Sequence, residues 1–140
     1  GARVTGTDTS PDALAVATDN AARTGLPVEL VEGELFAGLE GPFDLVVSNP
    51  PYVAPEDVQA LPPEVGEHEP RAALIESGAT ESIAAEAPSR LVRGGSLAFE
   101  VADGQAGVVA GLLRGLGYEE VTIGKDLAGR ERVVDGRAPR

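Results

Sequence analysis

Apolar and polar positions along this chain switch repeatedly between the strand period of two and the helical period of 3.6. Arg3 to Asp8 reads as a strand, with apolar Val4, β-branched Thr5 and Thr7, and an acid at its end. Ser10 suits a helix N-cap, with Pro11 at the first helical position and Asp12 in the first turn, where the helix dipole favours an acid. Alanines and Leu14 carry that helix to about Thr24, and Gly25 and Pro27 stop it. Val28 to Val31 is a second strand and Phe43 to Val47 a third. Thr80 to Arg93 is expected to be helical, broken or kinked by Pro88, with Gly94-Gly95 turning the chain into a strand from Ser96 to Val101. Gln105 to Leu116 is an amphipathic helix with Val108, Val109, Leu112, Leu113 and Leu116 on one side, ended by Gly117. Tyr118 to Ile123 and Arg132 to Val134 read as an antiparallel hairpin around Ala128-Gly129.

The third strand ends unusually. After Val47 come Ser48, Asn49, Pro50, Pro51 and Tyr52. Neither proline can donate to a ladder, so pairing is expected to stop near Ser48. Pro50 forces Asn49 into an extended backbone, and Pro51 does the same to Pro50. A stiff corner results at the carboxyl end of a strand, where ligands bind in open α/β sheets. It offers an amide side chain, a carbonyl with no competing N–H, and an aromatic ring. Those three groups suit a planar NH2: Asn49 Oδ1 and the Pro50 carbonyl accept one hydrogen each, and Tyr52 stacks on the flat group. Fixing both hydrogens orients the nitrogen toward an electrophile in line. A plain chain break after a strand is the alternative for Asn-Pro-Pro on its own.

Ser48-Asn49-Pro50-Pro51-Tyr52 after Phe43-Asp44-Leu45-Val46-Val47 resembles the catalytic motif of S-adenosylmethionine-dependent amino-methyltransferases. Three further blocks narrow the likeness: Leu61 to Val65 running to Glu69-Pro70-Arg71-Ala72-Ala73-Leu74, then Gly94 to Glu100 with Gln105, then Asp126 to Val134. Together they resemble the HemK-type release-factor glutamine methyltransferases over nearly the whole chain. The resemblance implies a Rossmann-like class I methyltransferase sheet, mostly parallel with a C-terminal antiparallel hairpin. It implies S-adenosylmethionine as cofactor and a catalytic set of Asn49, Pro50, Pro51 and Tyr52. It places Asp8 on the cofactor ribose, Glu34, Leu35 and Phe36 about its adenine, and Asn49 beside it. Glu34 stands where the family usually has the shorter aspartate. The block near Gly78 is shorter than the family's. The implied reaction is methylation of the glutamine side-chain amide in the Gly-Gly-Gln motif of peptide chain release factors, in the cytoplasm. No direct nucleic-acid partner and no membrane are implied.

Composition changes that picture in three places. With 140 residues, 42% of them hydrophobic, and 18 Gly and 11 Pro, the chain suits one α/β domain with many turns. A formal charge of −12 opposes phosphate-backbone binding, which needs clustered Lys and Arg. This weighs against the second enzymatic reading, an adenine-N6 methyltransferase on DNA or RNA. The absence of cysteine excludes thiolate chemistry and disulfides. No apolar run approaches a membrane span. His68 among Glu64, Glu67, Glu69 and Glu76 is too weak a pattern for a metal site, and no metal is expected. The long Pro-rich stretch from Val53 to Glu76 is instead expected to act as a lid over a substrate channel.

The chain begins at Gly1 and has no methionine. No glycine-rich strand-to-helix turn precedes Arg3, and the family's helical N-terminal domain is not found. The expectation is therefore a single partial catalytic domain over residues 1–140, lacking the first central strand and its glycine loop. Pairing is expected to be interrupted at mid-sheet and cofactor binding by the chain alone to be poor. An inactive half-domain is the remaining alternative.

Overall fold

The computed structural model describes residues 1–51 and 78–139. Its elements run β1 (Val4–Asp8), α1 (Pro11–Thr24), β2 (Val28–Glu32), β3 (Phe43–Ser48), α2 (Ala79–Arg90), β4 (Leu91–Glu100), α3 (Ala106–Gly115), β5 (Glu119–Lys125) and β6 (Glu131–Arg137). They divide into two compact units, Gly1–Glu40 and Gly41–Arg140.

In the first unit, β1 and β2 pair in parallel from Val4↔Val28 to Asp8↔Glu32, and α1 is the crossover between them. The helix begins as expected. The Ser10 side chain accepts the Ala13 N–H at 3.3 Å, and Gly25 caps the other end in the left-handed region.

The second unit holds a four-stranded sheet in the order β3-β4-β6-β5. Strands β3 and β4 run parallel, while β4–β6 and β5–β6 are antiparallel, so the C-terminal hairpin is present as expected. Among the described residues no ladder pairs β1 or β2 with a strand of this sheet, as expected for interrupted pairing. Leu97, Phe99 and Val134 share one face by strand alternation and are fully buried with Leu113 of α3. Helices α2 and α3 pack on that side. On the alternate face Leu45 and Val47 of β3 stay exposed, at 53% and 69%.

Two expectations about helices need correction. The first ran a helix to Arg93 and began the next strand at Ser96. Instead α2 stops at Arg90, and Leu91 is already extended (φ −92°, ψ 148°), buried and paired with Phe43. The pairing then jumps from Phe43↔Leu91 to Leu45↔Ser96, so Val92 to Gly95 form a bulge inside β4. Gly94 takes φ 76° there. A Cβ on Gly95 would lie 3.0 Å from the Val92 carbonyl oxygen and 3.1 Å from that of Asp44. The glycine pair is thus part of the strand and not a turn before it.

Pro88, expected to break or kink α2, sits within the helix. It withholds the N–H that would bond the Ala84 carbonyl four residues back. The Tyr118 hydroxyl donates to that carbonyl at 2.8 Å instead.

The second correction concerns α3. Its buried residues are Ala106, Val109, Ala110 and Leu113, an i, i+3, i+4, i+7 stripe. Val108, expected on the apolar side, is 75% exposed. Two alanines let the backbone approach the sheet closely, so the inward face is the smaller-volume one.

Candidate functional site

The corner after β3 follows from local sequence. The parallel ladder with β4 ends at Ser48↔Phe99, one residue before Asn49. Asn49 is exposed, Pro50 is buried and Pro51 is half-buried. Burial of the Pro50 ring anchors the turn, while the side chain before it points outward. Among the described residues, no hydrogen bond takes the Asn49 side chain or the Pro50 carbonyl. Among the described residues, two acceptors therefore stand open on neighbouring residues at the carboxyl end of the edge strand β3. Tyr52 and the stretch from Val53 to Glu76, with His68 and its surrounding glutamates, lie outside the described residues.

The other expected residues gather in the first unit. Asp8 ends β1 and is exposed. Its Oδ1 accepts the Ser10 N–H at 2.8 Å, and its backbone carbonyl accepts the Gly33 N–H at 3.1 Å. The carboxylate is thus held against the start of α1, and Oδ2 stays open among the described residues. Glu34, Leu35 and Phe36 sit in a tight turn just after β2, closed by the Ala37 N–H donating to the Glu34 carbonyl at 2.9 Å. The Thr7 hydroxyl donates to the Leu35 carbonyl at 3.2 Å, tying this turn to β1. A Cβ on Gly33 would lie only 2.6 Å from the Ala37 carbonyl oxygen, so this turn demands glycine there.

Within the turn the three side chains part company. Glu34 is exposed, Leu35 is half-buried and Phe36 is buried at 5% exposure. Leu35 takes φ 52°, a left-handed conformation that costs a leucine of order 1–3 kcal/mol and that tends to survive where a site needs it. Asp8 and the Glu34–Phe36 turn are adjacent within the first unit, because β1 and β2 are paired to their last residues. Asn49, Pro50 and Pro51 belong to the second unit. The strained Leu35 is invisible to composition and periodicity alone, since no glycine marks the position.

A second feature sits at the same end of the sheet as Asn49. The Asp126 carboxylate accepts the backbone N–H groups of Ala128 (2.8 Å) and Arg130 (2.9 Å) and the Arg130 guanidinium (3.0 Å). The Arg130 backbone bond leads in holding this carboxyl below the usual aspartate range, with the Arg130 guanidinium and the Ala128 N–H adding to it. Arg132 reaches both Asp103 (3.6 Å) and Asp126 (3.8 Å), and its guanidinium also donates to the Val101 carbonyl. The β5–β6 turn is fixed by these contacts.

One cavity of the second unit, about 290 Å³, is lined by Arg93, Gly94, Glu119, Glu120, Arg137 and Ala138. Those residues lie toward the start of β4 and the end of β6, the opposite end of the sheet from Asn49. It is not part of the expected site. Among the described residues no group of three or more acids or histidines is placed to hold a metal ion. Among them, too, no helix is long and apolar enough to cross a membrane.

Residues 1–64 match the family model described as "Methyltransferase small domain". A release factor glutamine methyltransferase of Deinococcus radiodurans is 46% identical over 140 residues, covering 97% of this chain and 50% of its own length. One from Cereibacter sphaeroides is 43% identical over 139 residues, covering 95% and 50%. The chain thus spans about half the length of the curated relatives it matches. Among solved structures, a methyltransferase from Pyrococcus furiosus superposes with a TM-score of 0.72 at 22% identity, covering 99% of this chain and 64% of that one. A 16S rRNA methyltransferase from T. thermophilus, in complex with AdoMet and guanosine, gives 0.68 at 17% identity, covering 100% and 32%. At those identities the structural likeness establishes the fold, a Rossmann-like α/β methyltransferase arrangement.

Proposed function

We propose, for a chain that belongs by sequence to the release factor glutamine methyltransferases, that it carries the target-amide site of an S-adenosylmethionine-dependent methyltransferase. The substrate in this reading is the glutamine side-chain amide of the Gly-Gly-Gln motif in peptide chain release factors, and the enzyme acts in the cytoplasm. The observation that carries it is the pair of acceptors at Asn49 and Pro50 that no group among the described residues takes, held on a corner whose ladder ends at Ser48.

The chemistry suits that pair. A primary amide is a weak nucleophile because its nitrogen lone pair is delocalised into the carbonyl. Accepting both N–H groups fixes the NH2 plane and presents one face to the methyl donor. The acceptors also stabilise the positive charge that grows on nitrogen as the new bond forms. Asn49 supplies a side-chain oxygen, and Pro50 supplies a carbonyl that a ladder does not consume. Tyr52 is assigned to packing on the flat amide, and Pro51 to stiffening the corner.

The first unit fits the cofactor by donor type. Asp8 presents an open carboxylate oxygen at a strand end, which suits the hydroxyls of a ribose. The half-buried Leu35 offers apolar surface for a base, and Glu34 offers an acceptor for an exocyclic amine. Phe36, buried, supports that turn from below. S-adenosylmethionine supplies an activated methyl group on a sulfonium. Everything else in the reaction is positioning.

The test is Asn49→Ala in the natural protein, assayed on a release factor by mass spectrometry. Methylation is expected to fall by at least about 10²-fold, as for loss of one acceptor in a preorganised site. Cofactor affinity measured by calorimetry is expected to stay within about twofold. Unchanged methylation in this variant removes Asn49 from the amide site, and with it this function.

A further inference from the structure

We propose that Glu100 is the proton acceptor for the methylated amide, a role that builds on the glutamine-amide reading above. Methylation forms a nitrogen–carbon bond while the amide nitrogen still carries both hydrogens. The donor leaves as a neutral thioether, so the nitrogen bears the positive charge and must release one proton to return to an amide. Neither the Asn49 amide oxygen nor the Pro50 carbonyl is basic enough to keep it. A carboxylate is.

The sheet places one there. Pairing of β3 with β4 runs Val47↔Ala98 and ends at Ser48↔Phe99, and Asn49 and Glu100 are the residues that directly follow this last pair on the two strands. Neighbouring strands lie about 5 Å apart, which is within reach of a glutamate side chain. Alternation puts Ser96, Ala98 and Glu100 on the same face as Leu45, Val47 and Asn49, the face opposite the buried Leu97 and Phe99. Both Asn49 and Glu100 are exposed.

The backbone under Glu100 is rigid, because β4 is an inner strand. Glu100 pairs with Val133 of β6, and the next residue, Val101, donates its N–H to the Arg132 carbonyl at 2.9 Å. The guanidinium of Arg132, the residue before Glu100's partner Val133 on β6, is already engaged. Arg132 reaches Asp103, Asp126 and the Val101 carbonyl, and no ion pair of Glu100 exists among the described residues. Glu100 is flanked on its own face by Ala98 and Val133, with Val47 one strand over. A protein substrate docking across this apolar strip removes water from the carboxylate.

The experiment compares Glu100→Gln, Glu100→Asp and Asn49→Ala in the natural protein. Glu100→Gln is expected to lower kcat about 10²-fold with KM for the release factor within threefold, in line with loss of a proton-transfer group. The wild-type fall in kcat at acidic pH is expected to vanish in that variant. Glu100→Asp is expected to restore part of kcat and the acidic limb. Cofactor affinity and thermal midpoint, read independently of turnover, are expected to match wild type in Glu100→Gln. Full kcat with an unchanged acidic limb in Glu100→Gln overturns the proposal, provided Asn49→Ala is inactive. Should Asn49→Ala keep its activity, it is the amide-site reading itself that fails. A rise in KM alone in Glu100→Gln also overturns it, since that makes Glu100 a docking contact.

Discussion

Replacing Tyr118 by phenylalanine removes one oxygen and tests how α2 tolerates its internal proline. The Ala84 carbonyl is fully buried, and Pro88 has taken away its helical partner. The Tyr118 hydroxyl, on a side chain only 5% exposed, donates to it at 2.8 Å across 34 residues of sequence. Tyr118→Phe leaves that carbonyl with no donor, and an orphaned buried acceptor costs about 1–3 kcal/mol. The phenylalanine ring fills the same space, so little packing changes. Pro88→Ala returns an N–H aimed along the helix at Ala84. In that background the tyrosine hydroxyl is redundant, and Tyr118→Phe is expected to cost under about 1 kcal/mol. Urea unfolding of the four proteins, wild type, two singles and the double, gives the coupling directly. Equal costs of Tyr118→Phe in both backgrounds refute the reasoning, because they mean the hydroxyl does not substitute for the missing helical bond. The same residue predicts a pH response. Burial pushes the Tyr118 phenol up to about 12, from an ordinary value near 10. Its folded-state value is raised, so its contribution is intact below pH 10 and is lost as pH climbs from about 10 through 12. Wild type is expected to lose stability more steeply than Tyr118→Phe across that window.

Two further outcomes follow from particular turns. Gly33→Ala puts a methyl group 2.6 Å from the Ala37 carbonyl oxygen and is expected to open the turn carrying Glu34 to Phe36. A cost of about 1–3 kcal/mol and a weakened cofactor affinity by calorimetry check it. Asp126→Asn keeps one acceptor oxygen for the Ala128 and Arg130 N–H groups but removes the negative charge and the second oxygen that hold the Arg130 and Arg132 guanidiniums at the β5–β6 turn. Since the Asp126 carboxyl is held below its ordinary range, its contribution is present above the unfolded value and fades as pH falls through the lower folded one. The variant is expected to be less stable than wild type at neutral pH, and the two are expected to converge in acid unfolding below about pH 4.

Much of this was legible because the signals were local. Ser10 caps α1 and Gly25 ends it for reasons contained in five residues of sequence. The proline pair halts the β3 ladder at Ser48 on its own chemistry. The errors arose where a distant partner decided. Nothing near Leu91 says that Phe43 will draw it into a ladder, so the helix was carried three residues too far. Pro88 reads locally as a break, and only Tyr118, from the far side of α3, makes it tolerable within a helix. On α3 the amphipathic pattern alone places Val108 with Val109, Leu112 and Leu113. Close packing selected the face with Ala106 and Ala110, and it turned the bulkier Val108 to solvent.

The site divides along the same line. Asp8 and Asn49 were legible because each sits where a strand must end, and ligands meet open α/β sheets at such carboxyl ends. Glu100 meets the same condition, yet in sequence it looks like one acid among 23 acidic residues. Its standing comes from register alone. Had the Val92–Gly95 bulge been one residue longer or shorter, alternation would carry position 100 to the other face, toward the helices. The bulge that spoiled the prediction of β4 is therefore what sets Glu100 beside Asn49. An insertion or deletion of one residue between Val92 and Gly95 is expected to lower the thermal midpoint together with turnover, because the slip that moves Glu100 also turns Leu97 and Phe99 out of the core.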